Sequence, residues 1–281
     1  MSDYIIETHD LTKKYGNQNS VSHLNIHVKK GRIYGLLGRN GAGKTTTMRM
    51  LLGLTAPTSG EVEIFGKPIH GNEKEILPRI GCLIESPGFY PNLTGTENLK
   101  IFADLRGVKS PQYIKNALEV VNQPYRDKKL FSQYSLGMKQ RLAIALAVMH
   151  NPELLILDEP TAVLTHQEVE ELFTVVRRLR DNGKTIILIT HKLKETIAIS
   201  NRVYVMRTGE MVAVRNTVET NIEELGYLMV GKKVEKVKKT PCVSEKNILK
   251  MKNVTLKNKY GYPVLQNLAL DIREQEILGI A

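Results

Sequence analysis

The hydrophobic positions of this 281-residue chain fall into short blocks whose period switches between that of a strand and that of a helix. Apolar or alternating runs at 4–11, 21–28 and 32–37 predict strands, and the spacing after them predicts a helix from about Gly43 to Leu52. Ala56-Pro57-Thr58-Ser59-Gly60 reads as a turn, with strands beyond it at 61–65 and 80–84. A mostly helical stretch is expected over 94–149, then a strand at 154–157, a helix at 167–181, a strand at 184–190 and two short strands at 202–206 and 211–214. Strands alternating with helices predict an α/β fold on a mainly parallel sheet with crossovers, with the helical stretch inserted into it.

The pattern also repeats. Residues 248–255, Ile-Leu-Lys-Met-Lys-Asn-Val-Thr, echo residues 5–12, Ile-Ile-Glu-Thr-His-Asp-Leu-Thr, and residues 268–281 echo residues 24–37, with Leu268, Ile272, Ile277 and Gly279 matching at one offset. Between the copies, residues 231–246 are charged and lack a hydrophobic period, as a linker does. The expected organisation is a domain over 4–230 with a helical subdomain at about 86–150, a basic linker over 231–246, and the truncated start of a second domain over 247–281. Residues 276–281 would be a buried strand in a complete second copy, so 247–281 are expected to form a poorly packed appendage with an open edge.

Composition narrows the setting. No run approaches the roughly 18 apolar residues of a membrane span, and the start Met-Ser-Asp-Tyr lacks a basic-then-apolar leader, so a soluble, cytoplasmic protein is expected. Cys82 and Cys242 stand far apart without metal-ligand spacing, which fits a reducing compartment. Of the net charge of +11, +6 comes from residues 231–281, and no basic stripe interleaved with aromatics is visible; nucleic acid is not expected as a partner.

The candidate chemistry is concentrated in four places. Gly38-x-x-x-x-Gly43-Lys44-Thr45 follows a predicted strand and opens a predicted helix, the context of a phosphate-binding loop. Gly38, Gly41 and Gly43 let successive N–H groups approach a β-phosphate at the positive end of the helix, with Lys44 reaching the β/γ-phosphates and Thr45 placed to hold Mg²⁺. Leu154-Leu-Ile-Leu-Asp158-Glu159 is an apolar strand ending in two carboxylates, one able to bind Mg²⁺ through water (Asp158) and one able to polarise an attacking water (Glu159). A second buried strand ends at His191, placed to contact a γ-phosphate or that water. Finally, Ser135 and Gly137 stand at a predicted helix N-terminus, offering a hydroxyl and free N–H groups to an anion.

With these motifs in this order across 4–230, the chain resembles the ATP-binding subunits of ATP-binding-cassette (ABC) transporters. The resemblance implies a P-loop NTPase of ABC type, with a RecA-like parallel-sheet core, an antiparallel β subdomain and a helical subdomain. It makes 38–46 the Walker A loop, including Asn40 and Thr46, puts Tyr15 on the adenine, Glu85 at the Q-loop position beside the metal, Ser135–Met138 in the signature, Asp158 and Glu159 in Walker B, and His191 at the switch position. It implies ATP and Mg²⁺ as ligands, transmembrane permease subunits as partners, and a transient ATP-dependent homodimer or cassette pair in which each signature faces the other copy's phosphate loop. The chain would then lie at the inner face of the membrane.

Departures from the family pattern are visible. Glu85 stands where Gln is usual, the signature reads Tyr-Ser-Leu-Gly-Met, and Thr165 replaces the usual acid after Ala162-Val-Leu. The segment 81–94 and Tyr134–Arg141 look like bacitracin-resistance and lantibiotic-immunity export ATPases, whereas 160–165, 190–195, 228–231 and the repeat look like tandem simple-sugar or nucleoside import ATPases, as in a composite chain that switches within 151–160. Export of a drug or peptide antibiotic is therefore the leading expectation, sugar or nucleoside import the second, and a ribosome-associated tandem ATPase a third from another class.

Overall fold

A computed structural model describes residues 3–84, 87–232, 244 and 246–279, in two compact units that divide after Val234. The first unit opens with β1 (Tyr4–Tyr15), β2 (Gln18–Leu24), β3 (His27–Lys29) and β4 (Ile33–Leu37), then α1 (Lys44–Leu51), β5 (Ser59–Ile64), β6 (Lys67–Pro68), α2 (Glu73–Ile76) and β7 (Ile80–Leu83). Three helices follow, α3 (Gly95–Leu105), α4 (Pro111–Val120) and α5 (Leu136–Val148), and then β8 (Leu154–Asp158), α6 (His166–Asp181), β9 (Thr185–Thr190), α7 (Leu193–Ile199), β10 (Arg202–Arg207), β11 (Glu210–Asn216) and α8 (Ile222–Val230). The second unit holds β12 (Asn247–Lys257) and β13 (Pro263–Arg273).

The main sheet has the order β11-β10-β4-β9-β8-β7. Its pairs from β10 to β7 are parallel and only β11 is antiparallel. A smaller antiparallel sheet, β2-β1-β5-β6 with β3 also on β1, covers one face. The period of two decides which core each residue joins. Leu154 and Ile156 pack with α1 and the small sheet around Met48, Leu51, Leu11 and Leu24, whereas Leu155 and Leu157 pack on the other face around Leu142, Leu172 and Val176. Strands covered on both faces read as unbroken apolar runs, as β4, β8 and β9 do.

N-caps begin the helices where the sequence puts Ser, Thr and Pro. Thr94 with Glu97 and Thr165 with Glu168 form capping boxes at α3 and α6, and Ser110 caps α4 with Pro111 in its first turn. Two expectations are refined. The single strand expected over 21–28 is two strands, because His23 takes a left-handed φ of 47° and the chain leaves β2 before pairing again with β1 at β3. The helical stretch 94–149 is three helices packed together, and α7 and α8 are helices that the hydrophobic pattern did not announce.

The second unit is an antiparallel pair whose register reproduces that of the chain's beginning. Asn247↔Arg273, Leu249↔Ile272 and Lys250↔Asp271 stand where Tyr4↔Lys29, Ile6↔Val28 and Glu7↔His27 do. Val254↔Leu268, Leu256↔Leu265 and Lys257↔Pro263 stand where Leu11↔Leu24, Lys13↔Val21 and Lys14↔Asn19 do. The left-handed residues Asp10 and His23 have counterparts in Asn253 and Asn267, and the bond from His23 N–H to Thr12 Oγ1 (3.0 Å) has one from Asn267 N–H to Thr255 Oγ1 (3.2 Å). The burial differs: Ile6 and Leu24 are sealed, while Leu249 is exposed, Leu268 is half-buried and Ile277 is fully exposed. Residues 276–279 form no strand, and most of the expected linker lies outside the described residues.

Candidate active site

Strand β4 runs between β10 and β9, so its C-terminal end delivers the loop 38–43 to the middle of the sheet edge. The loop is shaped by close approach: a Cβ on Gly38 would lie 2.7 Å from the Met206 carbonyl oxygen, and one on Gly43 2.5 Å from that of Ser20. Gly43, at φ 98°, also caps α1 in a conformation that side chains avoid. Lys44, on the first turn, is buried and donates to the carbonyls of Gly38 (2.8 Å) and Arg39 (3.2 Å). Burial lowers its pKa, against the raising influence of Glu159 and then Asp158.

Strand β8 pairs with β9, which brings the two carboxylates beside the loop and beside His191. Thr45 Oγ1 donates to Asp158 Oδ2 at 3.5 Å, a long contact. Asp158 is pushed up to about 6, first by burial and then by the charge of Glu159, with Lys44 and Thr45 pulling the other way. Glu159 sits at φ 44°, unusual for a side-chain-bearing residue, held there by its N–H donating to the Ile189 carbonyl at 2.8 Å. Its Oε1 pairs with His191 Nδ1 at 2.8 Å, and its buried Oε2 has no hydrogen-bond partner among the described residues.

A cavity of about 500 Å³ is lined by Gln18, Ser20, residues 40–46, Asp158 and Glu159. A second, of about 520 Å³, shares residues 40–42 with it and adds Arg39, Arg207, Thr208 and His191. One loop thus separates two polar hollows, and Asn40, Gly41, Gly43, Lys44, Thr45, Thr46, Asp158, Glu159 and His191 stand together around it. Tyr15 is half-exposed at the end of β1, opposite Gln18, with Lys13 Nζ 5.1 Å from its ring centroid. Gln18 and Ser20 were missed from sequence; their signal is the Gly16-Asn17 turn, which returns them to the side of the loop.

Ser135 and Gly137 are not brought to this cavity. Ser135 is exposed and caps α5, accepting from Met138 N–H at 3.2 Å, while Gly137 is buried under Glu168, whose Oε1 occupies the space of a Cβ. Glu85 lies outside the described residues.

The arrangement is that of a nucleotide triphosphatase: a backbone cradle with a buried lysine, two carboxylates and an imidazole. The model of the family described as ABC transporter matches residues 21–162, and the bacitracin transport ATP-binding protein BcrA of Enterococcus faecalis is 50% identical over 224 residues, covering 79% of this chain and 71% of that protein. The chain belongs to the ABC transporter ATP-binding family. It is the ATP-binding subunit of such a transporter and an ATPase.

Among other ABC relatives, the nucleoside import ATP-binding protein NupA of Lactococcus lactis is 34% identical over 291 residues, covering the whole chain and 57% of its own length. Both subfamily resemblances seen in the motifs thus have counterparts among relatives. The ABC cassette MJ0796, solved as a dimer in a post-hydrolysis state bound to ADP and Pi, superposes with a TM-score of 0.67 at 25% identity, covering 75% of this chain and 98% of that one. No helix among the described residues is long and apolar enough to cross a membrane.

Whether the ABC site suits Mg²⁺ is answered by its donors. Thr45 Oγ1 and Asp158 Oδ2 are hard oxygens facing one another at 3.5 Å. That fits Mg²⁺, which takes one or two protein oxygens and fills its shell with water and substrate phosphates.

Proposed function

We propose that this chain energises export of a peptide antibiotic of the bacitracin kind. The observation that carries the reading is the 50% identity to a bacitracin transport ATPase over 224 residues. The loop 38–46, with Asn40 and Lys44, would bind the β- and γ-phosphates, and Tyr15 would stack on the adenine. Thr45 and Asp158, with Glu85, would hold Mg²⁺, which when bound offsets charge on the phosphate oxygens. Glu159 would accept the proton of the attacking water, its Oε2 having no hydrogen-bond partner among the described residues. His191 fixes Glu159 through Nδ1 and leaves its other nitrogen for the γ-phosphate.

Ser135 and Gly137 lie away from the cavity, so they would serve the site of a second copy, as a transient ATP-dependent homodimer or cassette pair requires. The dimeric state of MJ0796 supports this assembly. Permease subunits would hold the pair at the inner face of the membrane.

A second reading, simple-sugar or nucleoside import, is favoured by import relatives that align with the whole chain and by the hairpin β12–β13. Shared register, shared left-handed positions and a shared Thr hydrogen bond support residues 247–279 as the start of a second cassette. Expression of the full chain with a bacitracin-type permease in a sensitive cell separates the readings. Tolerance to bacitracin should rise, and Lys44→Ala should abolish the rise. Tolerance at the level of the empty vector, with labelled nucleoside uptake restored alongside a nucleoside permease, would install the import reading instead.

A further inference from the structure

Outside the phosphate cavity, the described residues contain one compact polar cluster that bridges two loops carrying reactive groups. Thr161 is sealed from solvent, and its Oγ1 donates to Glu195 Oε2. Lys192 Nζ donates to the Thr161 carbonyl at 2.8 Å and to Glu195 Oε1 at 3.0 Å. The Thr161 carbonyl also accepts from Leu164 N–H (3.2 Å), so one atom closes the turn after Glu159 and receives the lysine. Glu195 belongs to α7, and α7 is seated on the strand that feeds the phosphate loop: a Cβ on Gly35 would lie 2.6 Å from Thr196 Cγ2.

The two loops are tied twice more, by Glu159 N–H to the Ile189 carbonyl and by Glu159 Oε1 to His191 Nδ1. The cluster is a third tie, made without either reactive side chain, and its Thr161 is sealed. We infer that Thr161, Lys192 and Glu195 form a clamp that holds the loop after Glu159 and the loop at His191 as one body, and so position both side chains for hydrolysis. This rests on the roles given above to Glu159 and His191. The clamp residues line neither of the two hollows at the phosphate loop; they are positioning residues. Because Thr161 is sealed, the other two are only partly exposed and their polar atoms are bonded to one another, removing one leaves another unpaired and lets the loops part.

The test uses the full chain with Thr161→Val, which keeps the shape and removes the donor, Thr161→Ser, which keeps the donor, and Glu195→Gln. Thr161→Val and Glu195→Gln should each lower kcat by about 10-fold or more while leaving ATP affinity within about two-fold, since displaced groups lose rate before binding. Thr161→Ser should keep the parental kcat. Hydrogen exchange should rise together in peptides covering 161–165 and 190–195 of the two impaired variants. Parental kcat in Thr161→Val, a loss confined to KM, or unchanged exchange would overturn the clamp. Glu159→Gln, measured alongside, separates the two levels. If it is inactive while Thr161→Val is fully active, the clamp alone fails; if it hydrolyses ATP at the parental rate, the site assignment fails first.

Discussion

Replacing Asp158 by Asn should stabilise the nucleotide-free, metal-free protein at neutral pH while ending its metal-dependent hydrolysis. The carboxyl is raised from 3.8 to about 6, mostly by burial and next by the neighbouring Glu159. Below pH 3.8 the acid is protonated in both folded and unfolded chains and costs nothing. Between 3.8 and about 6 the unfolded chain ionises while the folded one keeps its proton, so stability falls as pH rises. Above about 6 both are ionised and the cost is complete. Two pKa units correspond to about 3 kcal/mol, and discounting for the partial exposure of the group leaves about 1–2 kcal/mol.

For a unit of this size that is a rise in Tm of roughly 3–6 °C at pH 7. Thermal melts of Asp158→Asn and parent in EDTA from pH 4 to 8 read it directly. The gap should be full at pH 7 and close towards pH 4. A variant less stable than the parent at pH 7, or a gap that does not change with pH, would refute the argument that Asp158 is held at a cost for the sake of a cation.

Glu159→Gln should keep ATP binding and accumulate the ATP-bound dimer, with hydrolysis reduced by about 10²–10⁴-fold; gel filtration with ATP and a phosphate-release assay check both. Gly43→Ala should cost about 2 kcal/mol or more, because φ 98° and a Cβ 2.5 Å from the Ser20 carbonyl are both unfavourable, and ATP affinity should collapse with it. Lys44→Ala should weaken ATP binding itself, measured by calorimetry, as the buried ammonium is the charge nearest the loop carbonyls. Ending the chain after Gly231 should preserve ATP affinity and Tm and improve solubility, since Leu249, Leu256 and Ile277 are exposed on the second unit; a clear fall in Tm would show that residues 232–281 support the first.

Much of the local structure was legible in the chain. The unbroken apolar runs of β4, β8 and β9 announced strands covered on both faces, and Gly38, Gly41, Gly43 and Lys44 announced the loop, because backbone conformation and strand period are properties of near neighbours. The repeat was equally local: matching side chains at 5–12 and 248–255 carry matching bulges. Where a bend depended on a single left-handed residue, as at His23, periodicity ran straight through it and joined β2 to β3.

What only the tertiary structure decided is which distant groups meet. The order β10-β4-β9-β8 puts Lys44 and Asp158 around one hollow and His191 at the hollow across the loop from it, returns Gln18 and Ser20 to the first across a turn, and leaves Ser135 and Gly137 elsewhere. It also raises the pKa of Asp158, leaves Glu159 Oε2 without a partner among the described residues and closes Thr161, Lys192 and Glu195 into a cluster. None of these can be read from spacing, because burial and charge act through space, and sheet order is settled by how whole strands and helices pack rather than by any one segment.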